Sequence, residues 1–215
     1  MELQIRFSYS NQELMIKILD YGLGNIKAFI NAYDRIGVRA KSIQNFNEIS
    51  TSDKLILPGV GHFDYAITKL SNQFNIKQLN KIVLDQKTPI LGVCVGMQIM
   101  CESSEEGQLK GLGWFPNSVK KLPEKDNFIL PHMGWNSIDI LKSNPLFKDL
   151  NEGKNSMYFL HSYFCDTNDD LTYANTSYTS KFQSIIIREN VYGIQGHPEK
   201  SHEVGERLLK NFSEL

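Results

Sequence analysis

The first half of the chain repeats one unit: a short apolar run, a turn rich in glycine or proline, and a helical pattern. The apolar runs cover residues 16–19, 55–57 and 89–93. Strands that alternate with helices in this way build parallel crossovers. The repeat therefore predicts an α/β fold, doubly wound, with a mainly parallel sheet and helices on both faces.

The second half has a different rhythm. From about residue 117, strand patterns separated by turns replace the alternation, and only residues 201–212 read as a helix. The expected strands cover residues 128–130, 137–141, 157–164, 171–178, 184–188 and 191–195. We therefore expect a mixed sheet that gains antiparallel strands. No repeat or linker divides the chain, so residues 15–215 form one predicted domain. Residues 1–14 are a possible N-terminal extension, and the sequence leaves open whether translation starts at Met1 or Met15.

Composition excludes several classes of protein. The chain has 23 Lys+Arg and 24 Asp+Glu, a net charge of −1, without the basic excess typical of nucleic-acid binders. No stretch approaches the roughly 18 apolar residues of a membrane span. The three cysteines form no C-x-x-C pair, which argues against a metal site and against a disulfide scaffold. We expect a cytoplasmic protein without a membrane or nucleic-acid partner.

A candidate nucleophile lies in Gly92-Val93-Cys94-Val95-Gly96, between a buried strand and a helical pattern expected over residues 97–101. This G-x-C-x-G pattern is the cysteine counterpart of a nucleophile elbow, in which larger side chains two residues before and after the nucleophile would collide. The first N–H groups of the helix favour a thiolate at Cys94, and the Val95 amide faces a developing oxyanion. Cys101 is expected to face the core from this helix, whereas Cys165 ends a strand.

A candidate base lies near the C-terminus, in His197-Pro198-Glu199. The proline biases His197 towards an extended conformation, in which residues i and i+2 point to the same face. Glu199 can therefore hold one ring nitrogen of His197 and leave the other for the thiol. A cysteine, a histidine and an orienting carboxylate are the parts of a nucleophilic triad.

These motifs resemble those of class I (triad) glutamine amidotransferases. The resemblance rests on the elbow with Met97-Gln98, on the turn Pro58-Gly59-Val60-Gly61 and on His197-Pro198-Glu199-Lys200-Ser201. Two further stretches, residues 20–25 (DYGLGN) and 131–136 (PHMGWN), are similar to the glutaminase subunits of imidazole glycerol phosphate synthases. The resemblance extends over nearly the whole chain from Met15.

The resemblance implies a role for each matching residue. Cys94 attacks the carboxamide carbon of glutamine, His197 transfers protons, and Glu199 orients it. The amides of Val95 and Gly59 stabilise the oxyanion, and the turn carrying Gly59 rearranges before it does so. For the acidic substrate contact, Glu102 and Glu105 compete with Glu106. The implied substrate-binding residues are Gly61, Gln98, Glu106, His161, Ser162 and Tyr163.

The resemblance also implies a partner and no cofactor. His132, Met133 and Trp135 would lie against a synthase (cyclase) subunit in a heterodimer that receives ammonia; the alternative for His132 and Trp135 is a buried histidine and a core tryptophan. Three activities stay open at this point: supply of ammonia to the histidine-pathway cyclase, supply to a sugar amidotransferase for surface polysaccharide, and a stand-alone cysteine hydrolase or peptidase. One departure is Gly196, where relatives usually carry an aromatic residue, and we expect looser packing behind His197.

Overall fold

The computed structural model describes residues 15–50, 53–150, 155–167 and 170–215. The possible extension over residues 1–14 lies outside these ranges. The strands are β1 Ile16–Leu19, β2 Ala40–Ile43, β3 Lys54–Leu57, β4 Ile90–Val93, β5 Cys101–Ser104, β6 Phe115–Lys121, β7 His132–Ser137, β8 Asp139–Ile140, β9 Ser156–His161, β10 Tyr163–Asp166, β11 Thr172–Ser177, β12 Lys181–Arg188 and β13 Val191–Ile194. The helices are α1 Ile26–Arg35, α2 Phe63–Gln73, α3 Ile76–Asn80, α4 Val95–Gln98 and α5 His202–Glu214.

An eight-stranded sheet forms the centre of the fold, in the order β2-β1-β3-β4-β13-β12-β11-β8. The first five strands run parallel, and the last three join antiparallel. Strands β1, β3 and β4 are buried along their whole length, which explains their continuous apolar runs. The predicted mixed, mainly parallel sheet is confirmed.

The helices cover both faces of this sheet. From β1 the chain crosses to β2, which forms one edge of the sheet. From β3 it crosses to β4, which lies on the side of β3 away from that edge. Because such crossovers are right-handed, α1 and α2 lie on opposite faces. Helix α1 packs with α5, and α2 packs with α4. The predicted doubly wound arrangement is therefore present.

Two small sheets flank the central one, and here the sequence-based prediction was partly wrong. The three-stranded sheet has the order β10-β6-β5, and the two-stranded sheet pairs β7 with β9. Cys101 begins strand β5 instead of ending a helix, although its side chain is buried as expected. Residues 128–130 form no strand. Side chains hold this segment instead, since the Tyr178 hydroxyl donates to the Ile129 carbonyl at 2.8 Å.

Within the described part of the chain, every helix is too short or too polar to cross a bilayer.

Candidate active site

Cys94 lies at the carboxyl end of β4, near the middle of the central sheet. Its backbone adopts φ +55° and ψ −116°, the strained geometry expected of a nucleophile elbow. The Cys94 N–H donates to the Ile194 carbonyl of β13 at 2.8 Å. The pairing of β4 with β13 thus brings the cysteine beside the segment that carries His197, about a hundred positions further along the chain.

Close backbone packing explains the glycines around the elbow. A Cβ at Gly96 would lie 1.9 Å from the Leu57 carbonyl oxygen, and a Cβ at Gly59 would lie 2.2 Å from the Gly96 nitrogen. Neither contact is sterically possible. The turn after β3 therefore sits directly on the elbow, which places the predicted oxyanion turn beside Cys94.

The helix after the elbow is a single turn, shorter than predicted. Helix α4 covers Val95–Gln98 only, and residues 99–100 form a turn into β5. So short a helix has little macrodipole, and the individual N–H groups at its start are what can favour negative charge. Val95 is its first residue, so its N–H has no acceptor within the helix. This amide is available to an oxyanion.

The three predicted triad residues come together in the order expected. His197 and Glu199 are buried, and the His197 Nδ1 lies 2.9 Å from the Glu199 Oε1. Burial tends to lower the pKa of His197, but hydrogen bonds to Cys94 and Glu199, together with their negative charges, outweigh it and raise the pKa to about 10. The site therefore favours the protonated imidazolium form of His197.

A cavity of about 150 Å³ opens at Cys94 and His197. All six residues predicted to bind the substrate line it. Val60, Val95, Leu160 and Lys200 complete the lining. Gly59, predicted as an oxyanion donor, is absent from the residues that line the cavity. The cavity suits a small molecule with both polar and apolar parts.

Glu106 is the acidic residue that faces the cavity. Its Oε2 accepts the Phe63 N–H at the start of α2, at 2.8 Å, and its own N–H donates to the Ser104 hydroxyl at 3.1 Å. Glu102 is exposed. Glu105 accepts the Lys121 N–H at a distance of 2.8 Å and does not line the cavity. The structure thus separates Glu106 from its two competitors, which the sequence could not do.

Two histidines form a neutral hydrogen-bonded chain behind the cavity. The His161 Nδ1 lies 2.9 Å from the Tyr163 carbonyl oxygen, and its Nε2 lies 3.2 Å from the His132 Nδ1. Burial lowers the pKa of His161 to about 3 and that of His132 to about 4. With both rings neutral, His161 donates to the carbonyl and accepts from His132. His161 is therefore held rigidly against the cavity.

His132 departs from its predicted place at a partner interface, because its side chain is buried within this chain. It stacks on Tyr178 at 4.1 Å and on Phe159 at 5.0 Å between ring centroids. Its position at the start of β7 places it on the inner face of that strand, whereas Met133 and Trp135 lie outside. The alternative of a buried histidine thus applies to His132, whereas the alternative of a core tryptophan is wrong for Trp135, which is exposed.

Met133 and Trp135 form an exposed apolar surface next to the cavity, which we call the β7 face. Met133 is 67% exposed and Trp135 is 50% exposed. Met133 pairs across the strands with Leu160, which lines the cavity. Trp135 stacks parallel on His202 with 5.1 Å between ring centroids. Exposed aromatic and methionine side chains are enriched where proteins bind one another.

Gln195 is a site residue that the sequence analysis missed. It is fully buried, and its Nε2 lies 3.8 Å from the Cys94 sulfur. Its Oε1 accepts from the Gln98 Nε2 at 3.1 Å, so it joins the nucleophile to a predicted substrate contact. Gln195 precedes His197 by two residues, and the same i, i+2 spacing that identified Glu199 could have pointed to it.

Gly196 lies against strand β9. A Cβ at this position would lie 2.8 Å from the Met157 Cε, 3.2 Å from the Tyr158 oxygen and 3.3 Å from the Phe159 ring. Strand β9 therefore leaves little room for a side chain at this position. His197 is correspondingly buried.

No group of three or more potential metal-ligating side chains occurs among the residues that the structure describes.

Comparison with known families places this arrangement in a class. The model of the class-I glutamine amidotransferase family matches residues 17–214. The chain belongs to this family, and it is a glutamine amidotransferase. Two solved structures share its fold: a glutamine amidotransferase at TM-score 0.69 and 12% identity, covering 93% of this chain and 99% of that one, and PurLQS from Thermotoga maritima at TM-score 0.69 and 15% identity, covering 93% and 97%.

Relatives with higher sequence identity indicate a particular group within this family. The imidazole glycerol phosphate synthase subunit HisH of Bdellovibrio bacteriovorus is 45% identical over 94% of this chain and 100% of its own length. The protein of the same name from Leptospira interrogans is 43% identical over 94% of this chain and 100% of its own. The subunit named HisH 2 from Pseudomonas aeruginosa is 39% identical over the same shares.

Proposed function

We propose that this chain is the glutaminase subunit of an imidazole glycerol phosphate synthase. It hydrolyses glutamine to glutamate and ammonia, and it passes the ammonia to a synthase (cyclase) subunit that forms imidazole glycerol phosphate and AICAR in histidine biosynthesis. The observation that carries the proposal is the cavity that joins Cys94 and His197 to all six predicted substrate contacts. We place this activity in the cytoplasm, in keeping with three free cysteines.

The proposed chemistry begins with the Cys94 thiolate. Its sulfur attacks the carboxamide carbon of glutamine, and the carbonyl electrons move onto the oxygen. The Val95 N–H, and the Gly59 N–H after the turn rearranges, stabilise that oxyanion. His197 donates its proton to the departing nitrogen, so ammonia leaves and a thioester remains. His197 then takes a proton from water, which attacks the thioester and releases glutamate.

The cavity has a charged group for each end of glutamine's amino-acid moiety. The Glu106 carboxylate suits the α-ammonium group, and it is already fixed by the Phe63 N–H. Lys200 lines the same cavity and can attract the α-carboxylate. Such pairing favours an amino acid over a peptide, because a peptide bond removes one or both charges. This pairing of charges favours a glutaminase over the alternative of a peptidase.

The partner is proposed to bind on the β7 face as the second subunit of a heterodimer. Ammonia loses its nucleophilicity once protonated in water, so a covered exit is preferable to release into solvent. The β7 face is apolar and exposed, and through Leu160 it adjoins the cavity. A cyclase partner fits the names of the most similar relatives described above, whereas a sugar amidotransferase as partner has no such support.

The glutaminase proposal is tested by Cys94→Ala. We expect the variant to fold normally and to lose all glutamine-dependent ammonia release, measured with glutamate dehydrogenase in the presence of the partner. Cys101→Ala is the control, since it removes a buried thiol that lies outside the cavity lining. Ammonia release by Cys94→Ala would refute the assignment of the nucleophile.

The partner proposal is tested by Trp135→Ala. We expect co-purification with the cyclase to weaken by about tenfold or more, because exposed aromatic residues at interfaces often contribute 2 kcal/mol or more, about 30-fold. Leu141→Ala is the control: Leu141 is also an exposed apolar residue, at 47%, but it follows β8 and is not part of the β7 face. Undiminished binding by Trp135→Ala would exclude the β7 face. Association with a sugar amidotransferase instead would support the polysaccharide alternative.

A further inference from the structure

The Gln195 side chain lies between the nucleophile and a predicted substrate contact, in a place that the central sheet fixes. The Gln195 N–H donates to the Ser184 carbonyl of β12 at 2.9 Å, and the Cys94 N–H donates to the Ile194 carbonyl of β13 at 2.8 Å. The backbones of both residues are therefore held at the ends of paired strands. The Gln195 side chain is fully buried, so its polar atoms must find partners inside the protein.

The orientation of the Gln195 amide follows from neighbours whose hydrogen-bonding roles are fixed. The Tyr163 carbonyl oxygen can only accept, and it lies 2.8 Å from the Gln98 Nε2. The second N–H of that nitrogen faces the Gln195 Oε1 at 3.1 Å. The opposite orientation of Gln195 would bring two donors face to face. The Gln195 Nε2 is therefore the atom that faces the Cys94 sulfur, at 3.8 Å.

The Cys94 sulfur has different partners in its two protonation states. A thiol can donate, and the Leu160 carbonyl oxygen lies 3.9 Å away as an acceptor. A thiolate can only accept, so the partial negative charge of that carbonyl then repels it, whereas the Gln195 N–H attracts it. Hydrogen bonds to an ionised group are roughly twice as strong as those between neutral groups. The Gln195 amide therefore favours the thiolate over the thiol.

We propose that Gln195 is a further catalytic residue, whose side-chain N–H donates to the Cys94 sulfur and favours the thiolate that attacks glutamine. The proposal rests on the glutaminase function proposed above. His197 also acts on this sulfur, but it must give up its proton to the departing nitrogen. The Gln195 amide keeps its proton throughout the reaction. It can therefore stabilise the sulfur a second time, when the thioester breaks and the thiolate leaves.

Several titratable groups face Cys94 from other elements, so a test must keep their effect constant. Tyr21, Cys165 and His197 interact with it electrostatically. The cavity adds Glu106, His161, Tyr163 and Lys200. A substitution at Gln195 leaves all of them in the chain. A change in the protonation of the sulfur can then be assigned to Gln195 as long as the fold is intact.

The test is the pH dependence of Cys94 alkylation by iodoacetamide in the full-length chain, because the thiolate is the form that displaces iodide. Gln195→Met keeps the length of the side chain and removes the N–H. A hydrogen bond to a charged group corresponds to about 10-fold or more in an equilibrium, so the midpoint of the alkylation profile should rise by about one pH unit. Below the midpoint the rate should fall about 10-fold, while the plateau at high pH stays nearly the same.

A second variant and a matched control complete the experiment. Gln195→Glu keeps an oxygen for the Gln98 amide but replaces the donor with a carboxylate, so the midpoint should rise further than in Gln195→Met. Gln183→Met is the control, because Gln183 donates a side-chain N–H to the Thr167 carbonyl at 3.1 Å and does not line the cavity. Its midpoint should equal that of the unmodified chain. Thermal unfolding checks that each variant is folded.

The outcomes separate this proposal from the one on which it depends. A lower Tm with an unmoved midpoint in the Gln195 variants is the result expected of a merely structural residue. With glutamine still hydrolysed, it overturns the role of Gln195 and leaves the glutaminase function standing. An equal rise of the midpoint in Gln183→Met also overturns that role. Absence of hydrolysis by the unmodified chain with its partner overturns the glutaminase function, and with it the catalytic role of Gln195, even where the midpoint rises.

Discussion

Gly96→Ala is the substitution that most directly probes the contact between the elbow and the turn after β3. The added Cβ would lie 1.9 Å from the Leu57 carbonyl oxygen, where ordinary contact begins at 3.4 Å. The turn must therefore retreat by the difference, about 1.5 Å. The atoms it meets are backbone at the end of a buried strand, so no side chain can swing aside.

This displacement has two calculable consequences. Overpacking of a well-packed site costs about 1–3 kcal/mol, and at about 2–4 °C per kcal/mol for a chain of this size the Tm should fall by about 2–12 °C. A misplacement of about 1 Å in a catalytic geometry costs about 10² in rate, so kcat should fall by two orders of magnitude. Thermal unfolding and ammonia release with the partner present measure the two effects.

Gly37→Ala is the control that distinguishes a loss of stability from a displacement of the active-site residues. Gly37 has φ +71° and open space around it, at the end of α1. An alanine there is strained by about 1–2 kcal/mol, so the Tm should fall comparably, while kcat stays normal. If Gly96→Ala retains both its Tm and its kcat, the elbow and the turn cannot be in tight contact, and the proposed link between their packing and the rate is refuted.

Two further predictions concern titration. The pKa values of His161 and His132 are lowered to about 3 and about 4, so unfolding lets both rings take up protons below pH 6.5. The contribution of these two neutral rings to stability is complete above that pH and is lost as the pH falls, so the Tm should drop between pH 7 and pH 5; a constant Tm over that range would contradict it. Glu199→Gln should lower kcat by about two orders of magnitude or more. It should also shift the alkaline limb of the pH profile of kcat/KM to lower pH, because the Glu199 carboxylate helps to raise the pKa of His197. An unmoved limb would show that Glu199 does not act on His197.

The features of the fold and the site that the sequence predicted are those whose physical cause lies within a few residues. The apolar runs at β1, β3 and β4 identify strands buried on both faces, whatever lies next to them. The elbow is readable because its backbone geometry requires small neighbours within two residues. Glu199 was predictable for the same reason, since an extended segment places it beside His197. In each case the signal and its cause lie within a few residues.

The remaining features depend on contacts between distant segments. Cys101 is on a strand because β5 pairs with β6, and no pattern within β5 announces that pairing. Glu106, and not Glu102 or Glu105, faces the cavity because the start of α2 holds it there.

Two further contacts join residues that are far apart in sequence: the buried His132 contacts His161, and the Tyr21 hydroxyl donates to the Pro58 carbonyl. The sequence alone predicted the class of fold and the candidate triad, because local backbone geometry specifies the patterns that indicate them. The tertiary structure alone decided which side chains complete the site, because the packing of separate loops and strands brings them together.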